Sequence, residues 1–232
     1  YVNDGGDVWT PSYLPVKAEL EHFEARHGLG YTQITGQRGG VRVESLYFVP
    51  VDTDAEVQRV TVTNTTDAAK SLRLFSFVEF ALWNALDDQT NFQRNLNIGE
   101  VEVEQDGPTG TAIYHRTEYR ERRNHYAVYA VNTRADGFDT DRETFVGLYN
   151  GLHEPVVPAA GVSGNSVASG WYPIASHGLA LELAPGESRT FVFVLGYLEN
   201  PDEAKWADDA HQVINKERAH ALLARFATTE QA

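Results

Sequence analysis

Short runs in which apolar and polar residues alternate dominate this sequence between residues 36 and 197, and they constrain its fold more than any other feature. A period of two places the apolar side chains on one face of an extended segment, whereas helical periodicity is nearly absent before residue 200. Gly, Pro, Asn and Asp bound the runs, which is typical of half-buried antiparallel strands. We predict strands at residues 41–49, 57–63, 72–82, 100–104, 111–117, 126–132, 179–183 and 189–197.

The fourth run shows the pattern in its simplest form. Val101 and Val103 alternate with Glu100, Glu102 and Glu104. Because successive side chains of a strand point to opposite faces, we expect the two valines in the core and the three carboxylates in water.

Turn sequences between the runs indicate how the strands are connected. Residues 64–67 and 184–187 are rich in Asn, Asp, Pro and Gly and join runs with matching apolar sides, as in antiparallel neighbours. No segment between residues 36 and 197 resembles an interdomain linker. The sequence therefore predicts a mainly β domain over residues 1–199, built as one large antiparallel two-sheet sandwich.

The pattern changes after residue 199. Asn200 can cap a helix, and the Pro-Asp-Glu sequence that follows it suits a first helical turn. A second Asn, Asn215, precedes residues 216–226, in which four apolar side chains fall on one helical face. We predict that residues 200–232 form a short helical connector toward a further domain.

The acidic composition limits the partners of the chain. Its 19 Lys and Arg residues against 33 Asp and Glu residues give a formal net charge of −14 at pH 7, which opposes binding to nucleic acids and to anionic membranes. No apolar stretch approaches the roughly 20 residues that cross a bilayer. The chain lacks Cys and Met and begins with Tyr1, so we expect a piece of a longer, cytoplasmic protein without disulfides.

Motifs for metals and nucleotides are missing from the sequence. The eight His residues show no metal-binding spacing, residues 136–141 miss the calcium-loop pattern, and no Walker loop or dinucleotide fingerprint occurs. Asp87 and Asp88 are adjacent, which rarely places two carboxylates at a catalytic separation. We expect no metal and no cofactor, and we assign neither aspartate an acid or base role.

Seven segments together carry a resemblance to a known family. They are residues 3–11 (Asn-Asp-Gly-Gly-Asp-Val-Trp-Thr-Pro), 26–31 (Arg-His-Gly-Leu-Gly-Tyr), 83–95 (Trp-Asn-Ala-Leu-Asp-Asp-Gln-Thr-Asn-Phe-Gln-Arg-Asn), 114–125, 137–142, 168–177 and 195–197. In this order they closely resemble the amino-terminal part of the cellobiose phosphorylases of glycoside hydrolase family 94. The resemblance covers essentially the whole chain.

This resemblance implies a fold and an activity. It implies an amino-terminal super-sandwich, a helical linker, an (α/α)6 barrel and a small carboxy-terminal β domain, assembled as a homodimer. The implied reaction is cleavage of cellobiose by inorganic phosphate with inversion, giving α-glucose 1-phosphate and glucose. An inverting phosphorylase needs one carboxylic acid because phosphate is the nucleophile. In the family that acid belongs to the barrel, so we expect no catalytic residue in this chain.

The loop at residues 83–95 is the candidate substrate site. In the family this loop reaches over the mouth of the barrel, which implies that Asn84, Asn91 and Arg94 bind substrate on the acceptor side. Amide and guanidinium groups suit sugar hydroxyls, and Trp83 or Phe92 could cover an apolar sugar face. The residues alone favour a simpler interpretation, in which these groups only satisfy backbone polarity in a long loop.

Two other functions fit an aromatic-rich sandwich. One is a free-standing carbohydrate-binding module, and the other is a mutarotase-like enzyme, although fold alone does not carry function. The basic run at residues 116–123 is interleaved with Glu118 and Glu121. We interpret it as a salt-bridged surface or a contact with the barrel, in preference to a phosphate site.

Overall fold

The computed structural model describes residues 1–80, 100–116, 124–170 and 172–232. Within these ranges the chain forms strands, three short α-helices and one 3₁₀ turn at Asp202–Ala204. The helices are α1 (Arg142–Val146), α2 (Val156–Ala160) and α3 (Glu217–Ala224). The strands are β1 (Val2–Asp4), β2 (Asp7–Trp9), β3 (His22–His27), β4 (Tyr31–Arg38), β5 (Val41–Phe48), β6 (Ala55–Asn64), β7 (Lys70–Phe75), β8 (Val78–Glu79), β9 (Glu100–Gly107), β10 (Gly110–Arg116), β11 (His125–Val131), β12 (Gly137–Asp141), β13 (Pro173–Leu183) and β14 (Ser188–Glu199).

The strands form two antiparallel sheets. The larger has eight strands in the order β3-β4-β5-β6-β14-β11-β10-β9. The smaller has six, in the order β12-β13-β7-β1-β2 with β8 paired to β13. This architecture confirms the predicted mainly β, antiparallel two-sheet super-sandwich, and every predicted run overlaps at least one observed strand.

Five strands lie outside the predicted runs. They are β1, β2, β3, β4 and β12. Strand β3 is the edge of the larger sheet and is exposed on both faces. Its sequence alternates only briefly, with Phe23 and Ala25 as its apolar residues. Short strands such as β1 and β2 pair through backbone groups that any sequence provides.

Three apolar clusters hold the sheets together. The main core lies between the sheets and includes Trp9, Val43, Leu181 and Phe193. A second cluster lies on the outer face of the larger sheet, where residues of β11 and β14 meet the carboxy-terminal segment. A small third cluster surrounds Phe145 of α1.

The carboxy-terminal segment packs on the outer face of the larger sheet. The predicted helix at Asn200 is reduced to the 3₁₀ turn, whereas the predicted helix at residues 216–226 is present as α3. The N-cap position is occupied by Lys216, without a side-chain cap, while the side chain of the preceding Asn215 accepts a hydrogen bond from the Glu217 amide (3.0 Å). Leu222 and Leu223 pack into the second cluster. A domain boundary between residues 199 and 200 stays a prediction.

This cover corrects the expectation for the carboxylates of β9. Glu102 and Glu104 do not face open water, because their side chains are only 17% and 26% exposed. Glu102 pairs with Lys216 (2.8 Å), and Glu104 pairs with His220 (2.9 Å) and accepts a hydrogen bond from the Tyr114 hydroxyl (2.7 Å). The predicted alternation of side chains is confirmed. The face that was expected to be exposed to solvent instead packs against the carboxy-terminal segment that contains α3.

Candidate functional site

Several of the segments that carry the family resemblance begin or end at one end of the sandwich. In the larger sheet Arg116 is in register with both Glu100 and Tyr126, and Tyr31 is in register with Phe48. The register across β6 and β14 places these boundaries of β4, β5, β9, β10 and β11 at the same end of the sheet. We call this the loop end; it comprises the connections between residues 27 and 31, 48 and 55, 80 and 100, 116 and 125, and 169 and 173.

The two sheets meet at the loop end. The ring of Phe80, at the end of the smaller sheet, stacks on His115 of the larger sheet with ring centroids 5.0 Å apart and planes inclined by 21°. Glu100 also forms an isolated antiparallel bridge with Ser169. Both flanks of residues 81–99 are thus held where the sheets converge.

The predicted site residues Asn84, Asn91 and Arg94 lie outside the described residues, as do Trp83 and Phe92. Their role stays a prediction. The structure describes their anchors instead. Phe80 is 3% exposed and Glu100 is ion-paired, so the chain enters and leaves the candidate loop through fixed positions.

Arg116 is the main electrostatic contact of the loop end. Its side chain is 5% exposed, and one guanidinium nitrogen lies 2.5 Å from a Glu100 carboxylate oxygen. The same group lies 3.5 Å from Glu102 and 4.6 Å from the centre of the Trp206 ring. Arg116 therefore joins β10, β9 and the carboxy-terminal segment, which agrees with a salt-bridged interpretation of this first residue of the basic run. Residues 117–123 lie outside the described part.

Replacing Arg116 with methionine is expected to lower the free energy of unfolding by about 1.5 to 3 kcal/mol. The substitution removes the hydrogen bond of the buried guanidinium to Glu100 and the contact with Trp206, and Glu102 loses one of its two cationic partners. Urea unfolding at pH 7 measures this loss. Arg134→Met is the matched control, since the Arg134–Asp106 pair is exposed on both sides (64% and 72%), and its loss is expected to cost under about 1 kcal/mol. Equal losses in the two variants would contradict the assigned role of Arg116.

His115 does not act as an acid or base near neutral pH. Burial lowers the pKa of this ring to about 4, while a backbone group of Glu100 opposes the shift. The ring is therefore uncharged at pH 7, and its stacking on Phe80 makes it a packing group.

A cleft of about 400 Å³ lies between the sheets and is lined by residues near the loop end. Its lining includes uncharged polar residues that no sequence motif indicated, among them Ser45, Tyr47, Gln58, Ser76 and Tyr129. The sequence contains a sign of this cleft. Ser45 and Tyr47 continue the inward row that begins with Val41 and Val43. At these positions alternation predicts apolar side chains.

The described tryptophans do not form an exposed platform. Trp9 is fully buried. Trp206 is half-buried beneath cations, with the Lys205 ammonium 4.2 Å from its ring centre, and His211 stacks on it at 5.7 Å. Trp83 and Trp171 lie outside the described residues.

The described residues contain neither clustered metal ligands nor a long apolar helix. No group of three or more His, Asp or Glu side chains in that part of the chain is arranged to hold a metal ion. No helix there is long and apolar enough to cross a membrane.

Comparisons with known proteins agree with the fold. Residues 1–229 match the family described as glycosyl hydrolase 94, supersandwich domain. The N,N'-diacetylchitobiose phosphorylase of Vibrio proteolyticus is 30% identical over 223 residues, which cover 95% of this chain and 27% of that protein. The solabiose phosphorylase of Paenibacillus borealis is 24% identical over 209 residues, covering 88% of this chain and 26% of that protein.

A solved structure shows the same fold at low sequence similarity. A bacterial glucoamylase in complex with acarbose superposes with a TM-score of 0.51 and 10% identity, over 79% of this chain and 25% of that one. The chain spans about a quarter of the length of the curated relatives that it matches. Because the family match extends over nearly the whole sequence, the chain belongs to the glycosyl hydrolase 94 family, as its supersandwich domain.

Proposed function

We propose that this chain is the amino-terminal domain of an inverting disaccharide phosphorylase that cleaves cellobiose with inorganic phosphate. The match of residues 1–229 to the supersandwich domain carries the proposal. Relatives named as phosphorylases of diacetylchitobiose and solabiose support the reaction class. The choice of cellobiose rests on the seven sequence segments. The acid and most phosphate ligands are assigned to an (α/α)6 barrel outside this chain.

The domain acts as a scaffold that presents the loop at residues 83–95 to the sugar. The Phe80–His115 stack and the Glu100–Arg116 ion pair support this role, because they fix both ends of the segment that contains the loop. A loop with fixed ends loses less conformational entropy when it closes over a substrate. Asn84, Asn91 and Arg94 are proposed to bind the acceptor-side sugar. We further propose a cytoplasmic homodimer, which sedimentation of the intact protein tests.

Assays of the intact parent protein test the reaction. Incubation with cellobiose and phosphate is expected to release α-glucose 1-phosphate and glucose, with the anomer read by proton NMR. Diacetylchitobiose and solabiose are the competing substrates. Preferential cleavage of either would replace cellobiose but keep the phosphorylase, whereas phosphate-independent hydrolysis of all three would overturn the proposal. Anomer interconversion by the 232-residue chain alone would favour the mutarotase-like alternative.

Arg94→Ala in the intact enzyme is expected to lower kcat/KM for cellobiose by about 10- to 100-fold, since a guanidinium hydrogen bond to substrate is lost. Thermal unfolding is expected to be unchanged. Arg189→Ala is the control, because Arg189 is half-exposed in β14 and lies toward the opposite end of the sheet. A kcat/KM equal to that of the control would remove Arg94 from the site.

A further inference from the structure

The cleft between the sheets has an uncharged polar lining. Ser45 and Tyr47 of β5, Gln58 of β6, Tyr129 of β11 and Ser76 after β7 contribute hydroxyl and amide groups. No Lys, Arg, Asp or Glu is among the described residues that line it. A cleft without charged side chains cannot compensate the charge of a phosphate, a carboxylate or an amine. Its chemistry therefore selects a neutral ligand with many hydrogen-bonding groups.

Aromatic rings form part of the same lining. Tyr129 and Phe193 stack with centroids 5.9 Å apart and planes inclined by 18°. Across the cleft, Phe77 contacts Tyr1 edge to face, with centroids 6.4 Å apart. Flat apolar faces beside hydroxyl and amide groups suit a sugar ring, which has apolar faces and polar edges.

The polar groups of the cleft are held in place by contacts within the fold. The Tyr129 hydroxyl donates to the Gln58 carbonyl oxygen (3.3 Å), and the Gln58 amide donates to Glu56 (2.7 Å). The Ser76 hydroxyl oxygen accepts from the His177 backbone amide (2.9 Å) and lies 3.1 Å from the ring of His177. Tyrosine and serine hydroxyls and the glutamine amide keep further donor or acceptor capacity after these bonds. Such positioning lowers the cost of binding.

Polar residues at these buried positions would destabilise a core that served only packing. Deeper in the same inward rows, β5 and β6 present Val43 and Val62, which are about 1% exposed. Toward the loop end the rows change to Ser45, Tyr47 and Gln58. Buried polar groups in place of valine destabilise a core unless they are fully bonded, and the change occurs where the cleft of about 400 Å³ lies. That volume falls within the roughly 300 to 1,000 Å³ of small-molecule sites.

We propose that this cleft binds an uncharged saccharide of one or two pyranose rings through its described lining residues. Gln58 and Tyr129 bind its hydroxyl groups, and the Tyr129–Phe193 pair contacts a ring face. The proposal rests on the described residues of the sandwich and does not require the parent enzyme to cleave cellobiose. It adds a saccharide site to the scaffold itself.

Titration of the isotope-labelled 232-residue chain with cellobiose, monitored by NMR, tests the proposal. We expect saturable shifts of residues that line the cleft, with a Kd in the range of about 0.1 to 10 mM. Glucose 1-phosphate is expected to bind at least about 10-fold more weakly than glucose. The lining has no Lys or Arg side chain, and burial lowers the pKa of the Tyr1 amino group to about 5, so that this group is uncharged at pH 7. The absence of shifts in the cleft up to about ten times the top of that range would overturn the proposal.

Four variants of the same chain locate the site. Gln58→Leu and Tyr129→Phe remove polar groups at nearly constant volume and are expected to weaken cellobiose binding about 10-fold. Thr61→Val is the matched control, because Thr61 lies on the outer face of the same strand, 2.9 Å from Thr190, and should leave Kd unchanged. Binding that Arg94→Ala abolishes while Gln58→Leu leaves it intact would place the sugar in the loop, which overturns the cleft but supports the proposed function.

Discussion

Acidification from pH 7 to pH 4 is expected to lower the free energy of unfolding by about 3 to 6 kcal/mol, because the fold buries His115 and His177 as uncharged rings. Burial lowers the pKa of His115 to about 4 and that of His177 to about 3. Both rings are 1% exposed or less. A loss of this size is a large fraction of the stability of a typical domain.

The direction of the effect follows from proton linkage. An unfolded histidine binds its proton near pH 6.5, whereas these two folded rings bind it only near pH 4 and pH 3. Between those values the unfolded chain carries more protons, so each step down in pH favours unfolding. The histidine contribution is complete above pH 6.5 and declines as the pH falls toward the folded pKa values.

Urea unfolding at several pH values measures this dependence. His115→Gln and His177→Gln are each expected to reduce the difference in unfolding free energy between pH 7 and pH 4 by roughly half. His22→Gln is the control, because His22 lies exposed on the edge strand β3. If both buried variants kept the full pH dependence of the unchanged chain, the histidines would not be its source.

Replacing Trp9 with alanine is expected to lower the free energy of unfolding by about 3 to 5 kcal/mol, because it removes a large side chain from the main core and leaves a cavity. Trp9 is fully buried and is in register with Val2, so it joins the β1–β2 hairpin to the space between the sheets. Urea unfolding at pH 7 measures the loss.

The matched control is Phe23→Ala. Phe23 is 51% exposed on β3, and the substitution is expected to cost under about 1 kcal/mol. A comparable loss in both variants would show that the cost comes from aromatic residues in general and not from the core around Trp9. An unaltered stability in Trp9→Ala would place the β1–β2 hairpin outside the cooperative core.

The sequence predicted strands whose inward side chains meet the opposite sheet. Residues 41–49 coincide closely with β5 for this reason. Residues 189–197 coincide with β14, whose outer side chains are also buried because they meet the carboxy-terminal segment. Strand β3 could not be found in this way, since it has no buried face. The prediction that one face of β9 is exposed to solvent was wrong. The carboxy-terminal segment packs on that face, and it lies more than 100 residues away in the sequence.

The candidate site was predictable only in part. Family resemblance identified residues 83–95, and the structure describes how Phe80 and Glu100 anchor the segment that contains them. The cleft was missed, because Tyr47 and Tyr129 come together only when β5 and β11, which are separated in the sheet by two other strands, curve around one space. Single polar positions in an alternating run do not reveal that their neighbours in space are polar too.

Several connections between strands begin and end at the loop end. They can vary in sequence and length while the paired strands stay unchanged. Extra residues between Phe48 and Ala55, or between Arg116 and His125, would lengthen a connection without altering any pairing of β5 with β6 or of β10 with β11. Homologous domains should therefore tolerate exchange of these connections as cassettes. In such chimaeras, thermal stability is expected to follow the source of the sheets and not that of the exchanged connections.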